Sequence, residues 1–206
     1  MRKTKHIELE LRDKKKALVL VAHPDDEVIW IGGTIMRHAN AEWTVMSLCR
    51  KSDGDREPEF RRVCDKLGVK GVIEDLEDDD LMSLEKSVLE IKKIILKTFE
   101  NEKFDFCFTH NKNGEYGHKR HKGVYLAVKE LIKEEIFPAK NVFCFDYKKV
   151  DRKILPMVPG DNCSHILELT HKEYANKRKI VAEMYGYPYD GIDVNLCTNV
   201  EAFKKK

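Results

Sequence analysis

The chain has no excess of one charge, no long apolar run, no paired cysteines and no glycine-rich turn after its first strand. Each absence removes a class of function. Lys and Arg number 38 against 36 Asp and Glu, a formal net charge of +2 in 206 residues. A nucleic-acid or membrane-surface protein would cluster its bases, so neither partner is expected. No apolar stretch approaches the ~18 residues of a membrane span, and the opening MRKTKHIELELRDKKK lacks the apolar segment of a signal peptide. A cytoplasmic location is therefore expected. The Lys runs at 14–16 and 204–206 read as solvated chain ends. Six cysteines (Cys49, Cys64, Cys107, Cys144, Cys163 and Cys197) are scattered without a CxxC pair. That pattern suits small reduced core residues better than disulfides or a thiolate metal site. A dinucleotide or phosphate site needs glycines at the first strand-to-helix turn, where backbone N–H groups approach the phosphates. Here that turn is His23-Pro24-Asp25-Asp26, and Gly32 and Gly33 fall later, inside the presumed helix, where they suit close packing.

What is present is an ordinary globular balance, 42% hydrophobic and 36% charged, at a length that fits one domain over residues 1–206. Ala17 to Ala22 (ALVLVA) is a continuous apolar run, the pattern of a strand buried on both faces. Apolar residues at helical spacing follow from Val28 to Asn40, then a strand at Trp43 to Cys49. The alternation continues with a helix from about Glu57 to Leu67, stopped by Gly68, and a strand near Val72 to Leu76. Leu84 to Phe99 is an amphipathic helix, Phe104 to Thr109 a strand, Lys122 to Ile136 a helix and Val142 to Tyr147 a strand. His165 to Leu169 reads as a further strand and His171 to Tyr185 as a helix. Such βα repetition predicts an α/β fold, a Rossmann-like three-layer sandwich with a mostly parallel sheet.

Ligand sites in open α/β sheets form outside the carboxyl ends of the strands. Two polar clusters lie at such ends: Ala22-His23-Pro24-Asp25-Asp26-Glu27, and the run from Thr109 through His118 to His121. Capping of the following helix would account for one Asp in the first cluster, with the acids favoured by the helix dipole. It accounts poorly for His23 beside two carboxylates. Catalytic zinc takes three ligands from His, Asp, Glu or Cys and keeps one position open. His23 and Asp26 can supply two, and the second cluster a third. His118 and His121, three apart, share one face if the helix starts near Gly117, so that one ligates while the other faces substrate.

AHPDDE, followed by Gly117-His118-Lys119-Arg120-His121 within NGEYGHKRH, resembles the PIG-L or LmbE-like N-deacetylase family, which includes enzymes acting on N-acetylglucosaminyl lipids. The resemblance runs from about Ala17 to Val128, with Arg56-x-x-Glu59 before Leu67-Gly68 similar to the family's R-x-x-E helix. It implies a zinc, or another divalent metal, on His23, Asp26 and His121. It further implies Asp25 as general base, His118 as transition-state stabiliser or proton donor and Tyr116 as an oxyanion contact. Arg56 resembles the family's sugar-contacting arginine, and Asp78 loosely matches an acidic position near the substrate, although the triplet Asp78-Asp79-Asp80 also reads as a solvated loop. Two departures stand out. Trp30 replaces a smaller or aliphatic residue, and Lys119-Arg120 replaces a common Pro-Asp; neither is expected to touch a ligand, but both can alter substrate choice. The chain lacks long substrate-covering insertions, which favours a small soluble N-acetylated sugar over a lipid-linked one. The leading expectation is a zinc-dependent N-deacetylase acting on an N-acetylglucosamine-type sugar or its glycoside. The alternatives are a zinc amidase on another amide, such as a thiol conjugate, and a non-catalytic metal-binding protein. Monomer and homo-oligomer are equally compatible with the sequence.

Overall fold

The computed structural model describes residues 5–6, 11, 14–79, 81–150 and 155–206; Asp80, the end of the acidic triplet, lies outside the described residues. The first half runs β1 (Lys5–His6), β2 (Lys16–Val21), α1 (Asp26–Arg37), β3 (Glu42–Ser47), α2 (Arg56–Leu67), β4 (Lys70–Ile73) and α3 (Leu84–Thr98). The second runs β5 (Phe104–Thr109), α4 (Lys119–Lys133), β6 (Ala139–Phe145), β7 (Tyr147–Lys149), β8 (Met157–Pro159), β9 (His165–Glu168), α5 (His171–Met184), α6 (Ile192–Leu196) and β10 (Val200–Lys205).

Side chains alternate across a strand, so an unbroken apolar run must feed two cores. Ala17, Val19 and Val21 pack with apolar residues of α1, α2 and α5, whereas Leu18, Leu20 and Ala22 pack with those of α3 and α4. The result is the expected three-layer α/β sandwich. Its main sheet has the order β1-β9-β10-β6-β5-β2-β3-β4, and β7 pairs separately with β8. Strands β6, β5, β2, β3 and β4 are parallel, while β10 runs antiparallel to both β6 and β9. From β2 the chain proceeds outward to β3 and β4, then returns across β2 to begin β5 on its other side. That reversal leaves a crevice above the carboxyl ends of β2 and β5, where both polar clusters emerge.

Two elements near the site depart from the sequence pattern. The strand expected near residues 72–76 lies at Lys70–Ile73, and the final Lys run, solvated as expected, contributes Lys204 and Lys205 to the end of β10. In β10, Glu201 is fully buried: its carboxylate accepts the backbone N–H groups of Gly33 and Thr34, the Thr34 hydroxyl, and Lys177 Nζ at 2.8 Å. Lys177 is equally buried, so this pair joins α1, α5 and β10 inside the protein. Gly33 allows the approach, because a Cβ there would stand 2.4 Å from a Leu169 methyl. Glu201→Gln keeps the shape and strands the ammonium, and removing one partner of a buried pair typically costs about 3–5 kcal/mol. Urea denaturation should show a loss of that order; a loss near the ~1 kcal/mol of a surface pair would contradict this role for Glu201.

Candidate metal and catalytic site

The turn after β2 is strained at one residue. Asp25, the N-cap of α1, has φ 112° and ψ −36°, yet its side chain makes no cap hydrogen bond. A non-glycine residue there costs of the order of 1–3 kcal/mol and persists only where its surroundings impose it. They do: Asp25 N–H donates to Glu27 Oε2 at 3.0 Å, and the Asp25 carbonyl accepts from Val28 and Ile29 N–H at 2.9 Å each. Glu27 is fully buried and is held in turn by the Tyr185 hydroxyl. Capping therefore does not explain the two acids, and the strain points Asp25 into the crevice.

The second cluster begins its helix three residues before the expected Lys122, though not as early as Gly117. α4 starts at Lys119, with His118 as N-cap and its Nδ1 accepting Arg120 N–H at 3.3 Å. His118 and His121 nevertheless stay together, their ring centroids 4.8 Å apart.

Three donor atoms converge between the clusters. His23 Nδ1 lies 3.3 Å from Asp26 Oδ2, Asp26 Oδ2 lies 3.3 Å from His121 Nε2, and His121 Nε2 lies 3.4 Å from His23 Nδ1. Ligands about 2.0–2.1 Å from a tetrahedral zinc stand about 1.63 bond lengths apart, roughly 3.3–3.4 Å. The triangle has that size. Each imidazole also has a carboxylate on its far nitrogen, the arrangement that fixes a ligating tautomer. Glu115 Oε2 takes His121 Nδ1 at 2.6 Å, and Asp78 Oδ1 takes His23 Nε2 at 3.0 Å. Three other groupings come close, one of them His23, Cys49 and Asp78, where His23 Nε2 is already held by Asp78. His110 Nε2 is 3.5 Å from Asp26 Oδ2, but it accepts Ala22 N–H at 3.0 Å while its Nδ1 faces Glu115, so its lone pair is engaged. His118 brings a nitrogen only within 4.8 Å of those of His23 and His121, beside the triangle.

The electrostatics match a site built around positive charge. Burial works against charging His23, but hydrogen bonds to Asp26 and Asp78 outweigh it and raise the ring to about 9. Burial also opposes ionisation of Asp26, yet His121 and His110 hold it well below the usual carboxylate range. Asp25 goes the other way: burial and then the charge of Asp26 push it well above that range. His118 is lowered to about 4 by burial and by His121 and His23, which leaves it a neutral imidazole.

A cavity of about 440 Å³ opens onto this cluster, with His23, Asp25, Asp26, Tyr116 and His118 in its wall. Arg56 and Asp78 line it as well, so every residue given a site role from the sequence except the fully buried His121 meets this space. Arg56, the first residue of α2, donates through Nη1 to Glu59 and to the Tyr185 carbonyl, each at 2.8 Å. Its guanidinium stacks 4.5 Å from the centroid of Tyr187. The Tyr187 hydroxyl, in turn, donates to Asp25 Oδ2 at 2.7 Å. Asp78 uses its second oxygen on Arg50, at 2.8 Å. Trp30 was expected to be clear of the ligands. Instead its indole Nε1–H donates to Asp26 Oδ1 at 2.7 Å, and it is not part of the cavity wall. Arg120, the other departure, is buried and paired with Glu77 at 2.6 Å, with Nε 3.9 Å from Asp78. Glu115, His110 and Tyr187 carried no assignment in the sequence. Glu115 had the clearest signal, an acid placed between His110 and His121 in one polar run, whereas nothing near Tyr187 connects it to Asp25.

The model of the family described as PIG-L: GlcNAc-PI de-N-acetylase matches residues 18–132, more than half of the chain. The chain belongs to the PIG-L family. Among curated proteins similar to this chain, uncharacterized protein L374 of Acanthamoeba polyphaga mimivirus is 24% identical over 190 residues, covering 84% of this chain and 77% of its own. Among solved structures similar to this PIG-L chain is GalB, the 4-carboxy-2-hydroxymuconate hydratase of Pseudomonas putida KT2440. The TM-score is 0.59 and the identity 17%, over 93% of this chain and 96% of GalB. A deacetylase of the teicoplanin biosynthesis pathway gives a TM-score of 0.63 at 14% identity, over 83% of this chain and 84% of that one. At these identities the two structures show a shared fold. No helix among the described residues is long and apolar enough to cross a membrane.

Proposed function

We propose that this PIG-L chain, acting as one domain, is a metal-dependent hydrolase that removes the acetyl group from an N-acetyl amino sugar of the N-acetylglucosamine type, or from its glycoside. The observation that carries the reading is the 3.3–3.4 Å triangle of His23 Nδ1, Asp26 Oδ2 and His121 Nε2 with Asp25 beside it in the cavity wall. These three residues would hold zinc, although a two-His, one-Asp set accepts other divalent metals. When bound, the ion supplies Lewis acidity at the amide carbonyl and a more acidic water.

The remaining work belongs to the chain's own groups. Asp25 takes the proton of the attacking water, its carboxylate steadied through Oδ2 by the Tyr187 hydroxyl. With Nδ1 accepting from Arg120, His118 presents Nε2–H to the cavity, where it donates to the oxygen that gains charge. Tyr116 flanks His118, ring centroids 5.9 Å apart, and offers a second donor to that oxygen. Arg56 and Asp78 line the same cavity, where the sugar would meet them.

The test is incubation of the zinc-loaded protein with a panel of N-acetyl sugars, measuring acetate and primary amine together. Equal release of both supports the reading. No amine from these sugars, but amine from a thiol-conjugate amide assayed beside them, would favour the amidase reading, and no amine from any of these amides would leave a metal-binding protein. Since GalB, a hydratase, shares the fold, acetate and not bare turnover is the deciding product.

Arg56 has its own expected outcome. Arg56→Ala should leave metal content unchanged and lower kcat/KM for the best N-acetyl sugar roughly 10- to 100-fold, the worth of a charged hydrogen bond, with a smaller effect on a minimal acetamide. Equal losses on both substrates would instead place its effect on Asp25 through Tyr187. No loss on either would reduce it to the ion pair with Glu59.

A further inference from the structure

We infer that Trp30 is a positioning residue for Asp26, fixing which carboxylate oxygen meets the metal; the inference rests on the metal reading above. Asp26 and Trp30 are four apart on α1, so the indole lies one turn beyond the carboxylate on the same face, and long helical side chains lean back toward the preceding turn. Its Nε1–H donates to Oδ1 at 2.7 Å. The opposite oxygen, Oδ2, receives the His23 backbone N–H at 3.0 Å and is the vertex facing His23 Nδ1 and His121 Nε2. One oxygen is thus tied to the helix and one is left for the site. A carboxylate free of the indole is no longer held with Oδ2 toward the two imidazoles, so the ligand set would have to be ordered as an ion binds.

The indole is well built for this work. It is fully buried and packs against Tyr147, ring centroids 5.2 Å apart, and the Tyr147 hydroxyl donates to the Trp30 carbonyl at 3.3 Å. Being absent from the cavity wall, it acts on the ligand and not on the substrate. The sequence holds one other tryptophan, Trp43, whose Nε1–H donates to the His38 carbonyl at 3.0 Å in a buried setting beside Ala17, at the end of β2 and β3 opposite the site. That gives an internal comparison: the same hydrogen bond without a metal ligand at its end.

The experiment is zinc affinity by chelator competition for the parent, Trp30→Phe and Trp43→Phe. Loss of a group orienting a metal ligand typically weakens binding 10- to 100-fold, which is the result expected for Trp30→Phe, with Trp43→Phe matching the parent. Equal affinity of parent and Trp30→Phe would overturn the inference and leave the metal site standing; failure of the parent itself to bind zinc would overturn both. If Trp30→Phe does not fold, Trp43→Phe decides alone, because its single indole N–H resonance then reports on Trp30. A shift of that resonance on addition of zinc supports the assignment, and an unmoved resonance with zinc bound overturns it.

Discussion

Asp26→Ala or His121→Ala should bind less than a tenth of the metal the parent retains after gel filtration, and turnover should fall to the level of the metal-free protein. The parent itself should carry about one ion per chain by elemental analysis. The expectation follows from the triangle, since removing one vertex leaves two protein donors where a catalytic zinc site uses three. His121→Ala also takes away one of the two imidazoles around Glu115, which then keeps only His110 at 2.9 Å. His110→Ala is the discriminating companion. His110 stands 3.5 Å from Asp26 but has its Nε2 engaged by Ala22 N–H, so its loss should weaken binding without abolishing it. If the metal instead requires His110 and tolerates His23→Ala, the ion belongs to Asp26, His110 and His121, and the assignment of His23 is wrong.

The sequence made the parallel core legible because its signals are local and strong. The apolar run Ala17 to Ala22 can only be a strand covered on both sides, and the amphipathic stretch from Leu84 matches α3 to within a residue at its far end. Motif chemistry offered His23, Asp26 and one of His118 and His121, with the resemblance naming His121, and these residues meet from clusters 95 residues apart in sequence (residues 26 and 121) because parallel strands deliver their following loops to one edge. What escaped notice depends on long-range packing. β10 carries Glu201 near its start and lysines at its end, a pattern that looks solvated until Lys177 and the α1 backbone are brought against it. Trp30 reads from the sequence as a departure that can alter substrate choice, because the chain alone does not show that its N–H reaches Asp26 Oδ1. Tyr187 reaches Asp25 from the segment after α5, 162 residues away. Asp78, read as a substrate-side acid, does line the cavity, yet both its oxygens are engaged, by His23 and Arg50.

Asp25→Asn should keep the fold and the metal while lowering kcat roughly 10²- to 10⁴-fold, the usual worth of a general base. The substitution suits the position for a conformational reason. Asp25 sits at φ 112°, and Asn is among the few non-glycine side chains that tolerate positive φ, so the strained turn survives the exchange. The amide oxygen can still accept from the Tyr187 hydroxyl, which leaves the contact network near Arg56 intact. The change is therefore confined to the ability to take a proton. His118→Ala, removing the proposed donor to the carbonyl oxygen, should likewise retain metal and lose turnover. Loss of metal from Asp25→Asn would make Asp25 a ligand or a structural strut for Asp26. Full activity in Asp25→Asn would move the base elsewhere in the cavity, and full activity in His118→Ala would pass the oxygen contact to Tyr116. Retained zinc with lost turnover in both is the pattern that separates a catalytic base and donor from the ions and helix they surround.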